Sequence, residues 1–167
     1  MKKCRFTVSV LILAVTLAVL AGCGTVSKKT GAMVTADQFK TAMEGIDYSV
    51  SSYGSDHYYD EVLRARTGNS YNCVFYYEAV NSLQAESTYT NAVASYQTSK
   101  DNGTLVGTVE ESTSDKFSKC IISGEISGKA SYIALIRNEY VYISVTADGT
   151  AEEQAAEVNK VIAKLGF

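Results

Sequence analysis

The only histidine of the chain, His57, lies in a segment that also carries several carboxylates. Asp56, Asp60 and Glu61 are its neighbours in the sequence, and a histidine with carboxylates can hold a divalent metal ion. A hydrolase or metal-dependent enzyme built on these residues is therefore one alternative. A solvated charged surface explains the same residues more simply, because no second histidine or convergent cysteine pair accompanies them. We predict that the protein is not an enzyme.

Cys73 and Cys120 are the two cysteines that could pair within the folded part of the chain, since Cys4 and Cys23 lie near the amino terminus. Their separation excludes a Cys-x-x-Cys redox or zinc motif. A disulfide between them would close a loop of roughly fifty residues and contribute on the order of 4 kcal/mol. Two buried thiols that pack as small hydrophobic groups are the alternative. The sequence leaves both open.

Twelve tyrosines provide a third candidate for chemistry, and two pairs of them are adjacent in the sequence. Neighbouring residues of a strand face opposite sides of a sheet, so one member of each pair should point outward. Outward tyrosines could form an aromatic surface for a sugar, peptide or protein. Tyrosine pairs that only stabilise the sheet are the alternative. The candidate ligand surface consists of Tyr58, Tyr59, Tyr76 and Tyr77.

Composition and missing motifs exclude several function classes. No phosphate-binding glycine loop and no Gly-x-Ser-x-Gly motif is present, so we predict no cofactor. Residues 1–22 contain three basic residues and no acidic one, which leaves twelve basic and eighteen acidic residues in the rest of the chain. An acidic balance argues against a nucleic-acid partner.

The amino terminus has the pattern of a secretory signal. Residues 1–5 are positively charged, and residues 6–20 form an apolar run that is shorter than the roughly 20 residues of a membrane span. The run ends in Leu20-Ala21-Gly22-Cys23, where small residues precede a thiol. This signal resembles that of bacterial lipoproteins. An ordinary cleaved signal and an uncleaved anchor are the alternatives.

The resemblance implies removal of the signal peptide (1–22) and attachment of a lipid to Cys23. Two acyl chains would hold the protein firmly on the membrane. The expected location is thus the cell membrane, on its extracytoplasmic face. Residues 23–34 then comprise the lipidated cysteine and a small, polar tether.

Helical periodicity and start signals predict three helices, each beginning at a capping residue that is followed three positions later by Gln or Glu. The three pairs are Thr35 with Gln38, Asn81 with Gln84, and Thr150 with Glu153.

Strand patterns alternate with these helices. Residues 59–67 and 71–79 flank the turn 68–70 and predict a hairpin. Residues 56–66 also have helical spacing behind Asp56, but the well-marked turn favours a strand. Further strands are predicted at 48–51, 105–109, 117–126, 130–137 and 140–146.

The short connections predict an antiparallel meander, so the expected fold class is α+β. Residues 35–167 should form a single domain, a mainly antiparallel sheet with its three helices packed on one face.

The mature chain resembles a group of small lipoproteins from low-GC Gram-positive bacteria. The residues that carry this resemblance are the lipid-attachment motif, the starting run 35–39, the tyrosine-rich strands and the ending 162–167. The group has no assigned activity, so it implies no catalytic residue. We expect a membrane-anchored, non-enzymatic domain that binds an envelope protein, a peptide or a glycan. A structural envelope protein that pairs through a sheet edge is a further alternative.

Overall fold

The computed structural model describes residues 34–68 and 71–167. The predicted signal peptide, Cys23, nearly all of the tether and part of the turn 68–70 lie outside the described residues. The helices are α1 (Ala36–Glu44), α2 (Ser82–Asp101) and α3 (Ala151–Leu165). The strands are β1 (Ser49–Gly54), β2 (Tyr59–Arg66), β3 (Cys73–Ala79), β4 (Leu105–Thr113), β5 (Ser118–Ile126), β6 (Lys129–Arg137) and β7 (Val141–Thr146).

The predicted start signals are the helix caps of the structure. At α1, the Thr35 hydroxyl accepts a hydrogen bond from the Gln38 backbone N–H, and the Gln38 side chain accepts one from the Thr35 N–H. Thr150 and Glu153 form the same reciprocal pair at α3. These bonds satisfy N–H groups that have no partner within a helix. At α2 the box is incomplete, since Asn81 caps the helix but no bond returns to it.

Residues 59–66 form a strand, as the hairpin pattern predicted. The helix-like signal at Asp56 has a different origin, because its carboxylate accepts backbone hydrogen bonds from Tyr58 at 2.7 Å and Tyr59 at 2.9 Å. Asp56 thus closes the turn that leads into β2. An aspartate side chain can accept hydrogen bonds from the free backbone N–H groups at the start of either a helix or such a turn. This explains why the sequence allowed both structures at Asp56.

The seven strands of the described residues form one antiparallel sheet in the order β1-β2-β3-β7-β6-β5-β4. The meander from β4 to β7 and the hairpin of β2 and β3 confirm the predicted α+β fold. The edge strand β4 continues to Thr113, four residues beyond the prediction. Among the described residues, no helix combines the length and the apolar character that crossing a membrane requires.

The helices pack on both faces of the sheet, so the prediction of a single covered face is wrong. On β6, Ala134 and Ile136 lie in a first core with residues of α1 and α3. Their neighbours Ile133 and Leu135 lie in a second core with residues of α2. Adjacent residues of a strand point to opposite faces, so the two cores occupy opposite sides of the sheet.

The path of α2 explains this arrangement. Along the sheet, β3 and β4 run in the same direction but are separated by β7, β6 and β5. A connection between parallel strands must cross a face of the sheet, and it usually does so as a helix. At about 1.5 Å per residue, the 20 residues of α2 span about 30 Å, which is more than four strand spacings of about 4.8 Å. The helix is therefore long enough for this crossing, and its residues Tyr89 and Val93 in the second core place it on the face opposite α1 and α3.

Two glycines let β4 and β5 approach each other closely. Gly107 and Gly124 are partners in the register. A Cβ atom on Gly107 would collide with the carbonyl oxygen of Ser123, and one on Gly124 with that of Val106. Both obstacles are backbone atoms, so a side chain at either position forces the strands apart.

We expect Gly107→Ala to lower the free energy of unfolding by about 2 kcal/mol, because overpacking against a backbone atom displaces the edge strand. Urea denaturation of the full chain measures this change. Gly68→Ala is the matched control, since a Cβ atom there meets no atom within 4 Å. Equal stability of the two variants would contradict the expectation.

Candidate functional site

The face of the sheet that carries the second core is open over β1 and β2, because α2 packs mainly over β3, β4, β6 and β7. Leu63 and Ala65 of β2 point into the first core. The side chains of Arg64 and Arg66 therefore point to the opposite, open face. The register places Ser51 beside Arg64 and Ser49 beside Arg66 on that face.

These residues surround a shallow cavity of about 230 Å³. We call this cavity the basic pocket. Its lining consists of Ser49, Ser51, Tyr53, Arg64 and Arg66. All five are polar side chains from the two strands at one edge of the sheet.

Tyr53 and Phe75 hold the Arg64 side chain in place. Its Nη1 atom donates a hydrogen bond of 2.6 Å to the Tyr53 hydroxyl. Its Cζ atom lies 5.9 Å from the centroid of the Tyr53 ring and 5.8 Å from that of Phe75, within the range of cation–π attraction. The hydrogen bond to Tyr53 raises the pKa of Arg64 above its ordinary value. The guanidinium is thus fixed and permanently charged.

A bulge in β1 aims Tyr53 at Arg64. The register of β1 with β2 shifts between Ser52 and Gly54, so Tyr53 is the additional residue. Gly54 has φ of +80°, a conformation that side chains rarely adopt. A bulge bends a strand and redirects its side chains, and here it leaves Tyr53 60% exposed while its hydroxyl reaches Arg64.

No carboxylate of the described residues forms an ion pair with the arginines of the basic pocket. The ion pair between Lys160 and Glu157 lies elsewhere, on α3. Arg66 is exposed to solvent. Guanidinium groups present several N–H donors in one plane and bind carboxylate or phosphate oxygens in pairs. The lining therefore suits the binding of an anion.

Cys73 borders the basic pocket, because the register pairs it with Arg66. Its thiol is half-buried, and desolvation raises its pKa although the charge of Arg64 opposes the effect. A thiol with a raised pKa is a poor nucleophile at neutral pH, since the thiolate is the reactive form.

The candidate disulfide between Cys73 and Cys120 does not form, and both residues are free thiols. Cys73 lies on β3 and Cys120 on β5, with β7 and β6 between them. Three strand spacings amount to about 14 Å, whereas a disulfide needs Cα atoms within about 7 Å. Cys120 instead packs in the second core, where burial raises its pKa to about 11.

The predicted tyrosine surface is not a continuous surface. Tyr76 is fully buried, with its ring 5.1 Å from that of Phe39, so it belongs to the first core. Tyr77 points the other way, as alternation predicted, but it packs against the second core and 5.6 Å from Tyr142. Helices α1 and α2 pack on the two faces of β3, so Tyr76 is buried and Tyr77 is only partly exposed.

The other pair lies at the start of β2. The Tyr59 hydroxyl is hydrogen-bonded to that of Thr88 on α2 at 2.8 Å. Tyr58 is 53% exposed, and its ring contacts that of His57 edge-on. Of the four predicted tyrosines, only Tyr58 presents a largely exposed ring.

The structure does not gather His57 and its acidic neighbours into a metal site. His57 is exposed, Asp56 is bonded to the turn before β2, and Glu61 accepts a hydrogen bond of 2.9 Å from Ser52. In the part of the chain that the structure describes, no group of three or more His, Cys, Asp or Glu side chains is arranged to hold a metal ion.

Sequence reasoning missed the basic pocket, although one signal for it was present. Arg64 and Arg66 are two residues apart in a strand, as are Ser49 and Ser51, so each pair shares a face. Tyr53 continues the spacing of Ser49 and Ser51, and Gly54 marks the bulge beside it.

We expect iodoacetamide at pH 8 to modify Cys73 slowly and Cys120 hardly at all in the native full chain. Both pKa values are raised, so the thiolate fractions are small, and the rate at Cys73 should increase with pH. After denaturation in urea without reductant, both cysteines should react, as peptide mass mapping would show. A peptide that links Cys73 to Cys120 would contradict this result.

Comparisons with known proteins identify no relative of the chain. No family model, curated protein or solved structure matches the chain. The site is therefore interpreted from its own geometry.

Proposed function

We propose that the chain is a lipid-anchored, extracytoplasmic binding protein whose folded domain binds its ligand at the basic pocket. The observation that carries this proposal is the fixed Arg64 guanidinium on an open sheet face, beside Arg66 and without a carboxylate partner among the described residues. The partner is an envelope protein, a peptide or a glycan.

The anchor rests on the signal in the sequence, Leu20-Ala21-Gly22-Cys23 behind a basic and an apolar segment. An acylated Cys23 would hold the chain at the outer surface of the membrane. The tether of residues 24–34 spans at most about 40 Å when fully extended. The basic pocket would then stay close to the membrane and the molecules around it.

The lining of the basic pocket favours binding over catalysis. General acid–base catalysis is most efficient when the pKa of the catalytic group is near the working pH. Arg64 and Arg66 present guanidinium N–H donors, and the two serines present hydroxyl groups. Such groups can orient and hold an anion by charge and hydrogen bonding.

We expect Cys23→Ser to shift the protein from the membrane fraction to the soluble or secreted fraction, because the residue that accepts the lipid is lost. Cys4→Ser is the matched control and should remain in the membrane fraction. Immunoblotting of fractionated cells, with intact-mass measurement of the membrane form, tests both. An unmodified membrane form that begins at another residue would contradict the proposed anchor.

We expect a photo-crosslinking residue at Ser55, an exposed position two residues from Tyr53, to capture a discrete partner in intact cells and to lose that product when combined with Arg66→Gln. Val106 is the control position, since it is 69% exposed on the opposite edge strand β4. Mass spectrometry identifies the product. Equal products at both positions, or a Ser55 product that Arg66→Gln leaves unchanged, would contradict binding at the basic pocket.

A further inference from the structure

We infer that the group bound in the basic pocket is a phosphate-type oxyanion carrying two negative charges. This inference rests on the proposed function and specifies the class of its ligand. It follows from the charge, the donors and the size of the cavity.

The charge of the basic pocket favours a dianion. Two guanidinium groups, Arg64 and Arg66, face the same open side of the sheet at register positions two residues apart. No carboxylate of the described residues pairs with either. A monoanion would leave one positive charge unbalanced, whereas a phosphate monoester carries close to two negative charges at pH 7.

The donors of the basic pocket suit an acceptor with several oxygens. Arg64 donates one N–H to Tyr53, and within the described residues no hydrogen bond occupies the N–H groups of Arg66. The hydroxyls of Ser49 and Ser51 lie on the neighbouring strand. A phosphate group has three terminal oxygens that can accept from different directions, while a carboxylate has two in one plane.

The basic pocket is partly organised before a ligand arrives. The hydrogen bond of 2.6 Å to Tyr53 and the two flanking rings already restrict Arg64. A side chain that is fixed in advance loses less freedom on binding, which strengthens association. Tyr53 is therefore a positioning residue for Arg64.

The size of the basic pocket limits what it can enclose. Its volume of about 230 Å³ is below the roughly 300–1,000 Å³ of pockets that enclose a drug-sized molecule. A free phosphate ion fits this size, and so does the phosphate end of a larger ester whose remainder stays in solvent.

Calorimetric titration of the full chain in non-ionic detergent tests the inference. The probes are inorganic phosphate, glycerol 2-phosphate and acetate at pH 7.5, with ionic strength held constant by sodium chloride. We expect saturable binding of at least one phosphate probe and weaker binding of acetate. Tighter binding of glycerol 2-phosphate would indicate an ester as the source, and tighter binding of inorganic phosphate would indicate the free ion.

Variants separate a built site from general charge attraction. Arg66→Gln should weaken phosphate binding at least about tenfold, the usual effect of losing charge-assisted hydrogen bonds. Arg66→Lys, which keeps the charge but not the fork, should have an intermediate effect, and Tyr53→Phe should weaken binding by releasing Arg64. Lys129→Gln removes an exposed positive charge at the start of β6 and should leave binding unchanged.

The inference is overturned if neither phosphate probe binds saturably, if acetate binds as tightly as they do, or if Arg66→Gln and Lys129→Gln have equal effects. Its failure is distinguishable from failure of the proposed function. A Ser55 crosslink that depends on Arg66, without phosphate binding, would retain the binding function and exclude a phosphate ligand. Phosphate binding without any such crosslink would support a phosphate ligand and contradict the proposed binding of an envelope partner.

Discussion

The pairing of β3 with β7 is the contact on which the rest of the sheet depends. The other neighbouring strands belong to two local meanders, β1 to β3 and β4 to β7, and this one pair joins them. Its residues are about 70 positions apart in the chain, as in the hydrogen bond from the Thr146 hydroxyl to the Cys73 carbonyl. Forming it closes a long loop, and burial on both faces compensates for that entropy.

That central pair also determines what the rest of the molecule can expose. Val74 and Val145 meet in the first core, while Tyr77 and Tyr142 meet on the side of the second. Because helices cover both sides of these strands, open sheet surface remains only towards the edges. The edge formed by β1 and β2 carries the basic pocket. The pocket is accessible because it lies away from the central strands, which the helices cover.

Local features of this fold could be predicted from the sequence, and non-local ones could not. Two such local features are the helix caps at Thr35 and Thr150 and the hairpin of β2 and β3, each of which depends on a few neighbouring residues. The face chosen by α2 depends on where β4 lies in the sheet, and no short pattern encodes that position. The state of Cys73 and Cys120 and the exposure of the candidate tyrosines could not be decided from the sequence for this reason, since both depend on the strand order.

The placement of α2 and α3 on opposite faces bears on how such a chain could have originated. Helix α2 follows β3, and helix α3 follows β7. This order is what the duplication of an ancestral unit of strands and one helix would produce. The twofold rotation that exchanges two adjacent antiparallel strands has its axis perpendicular to the sheet. Such a rotation maps each face of the sheet onto itself. Copies related in this way would carry their helices on the same side. The two halves are therefore not symmetry-related repeats, and each has its own architecture.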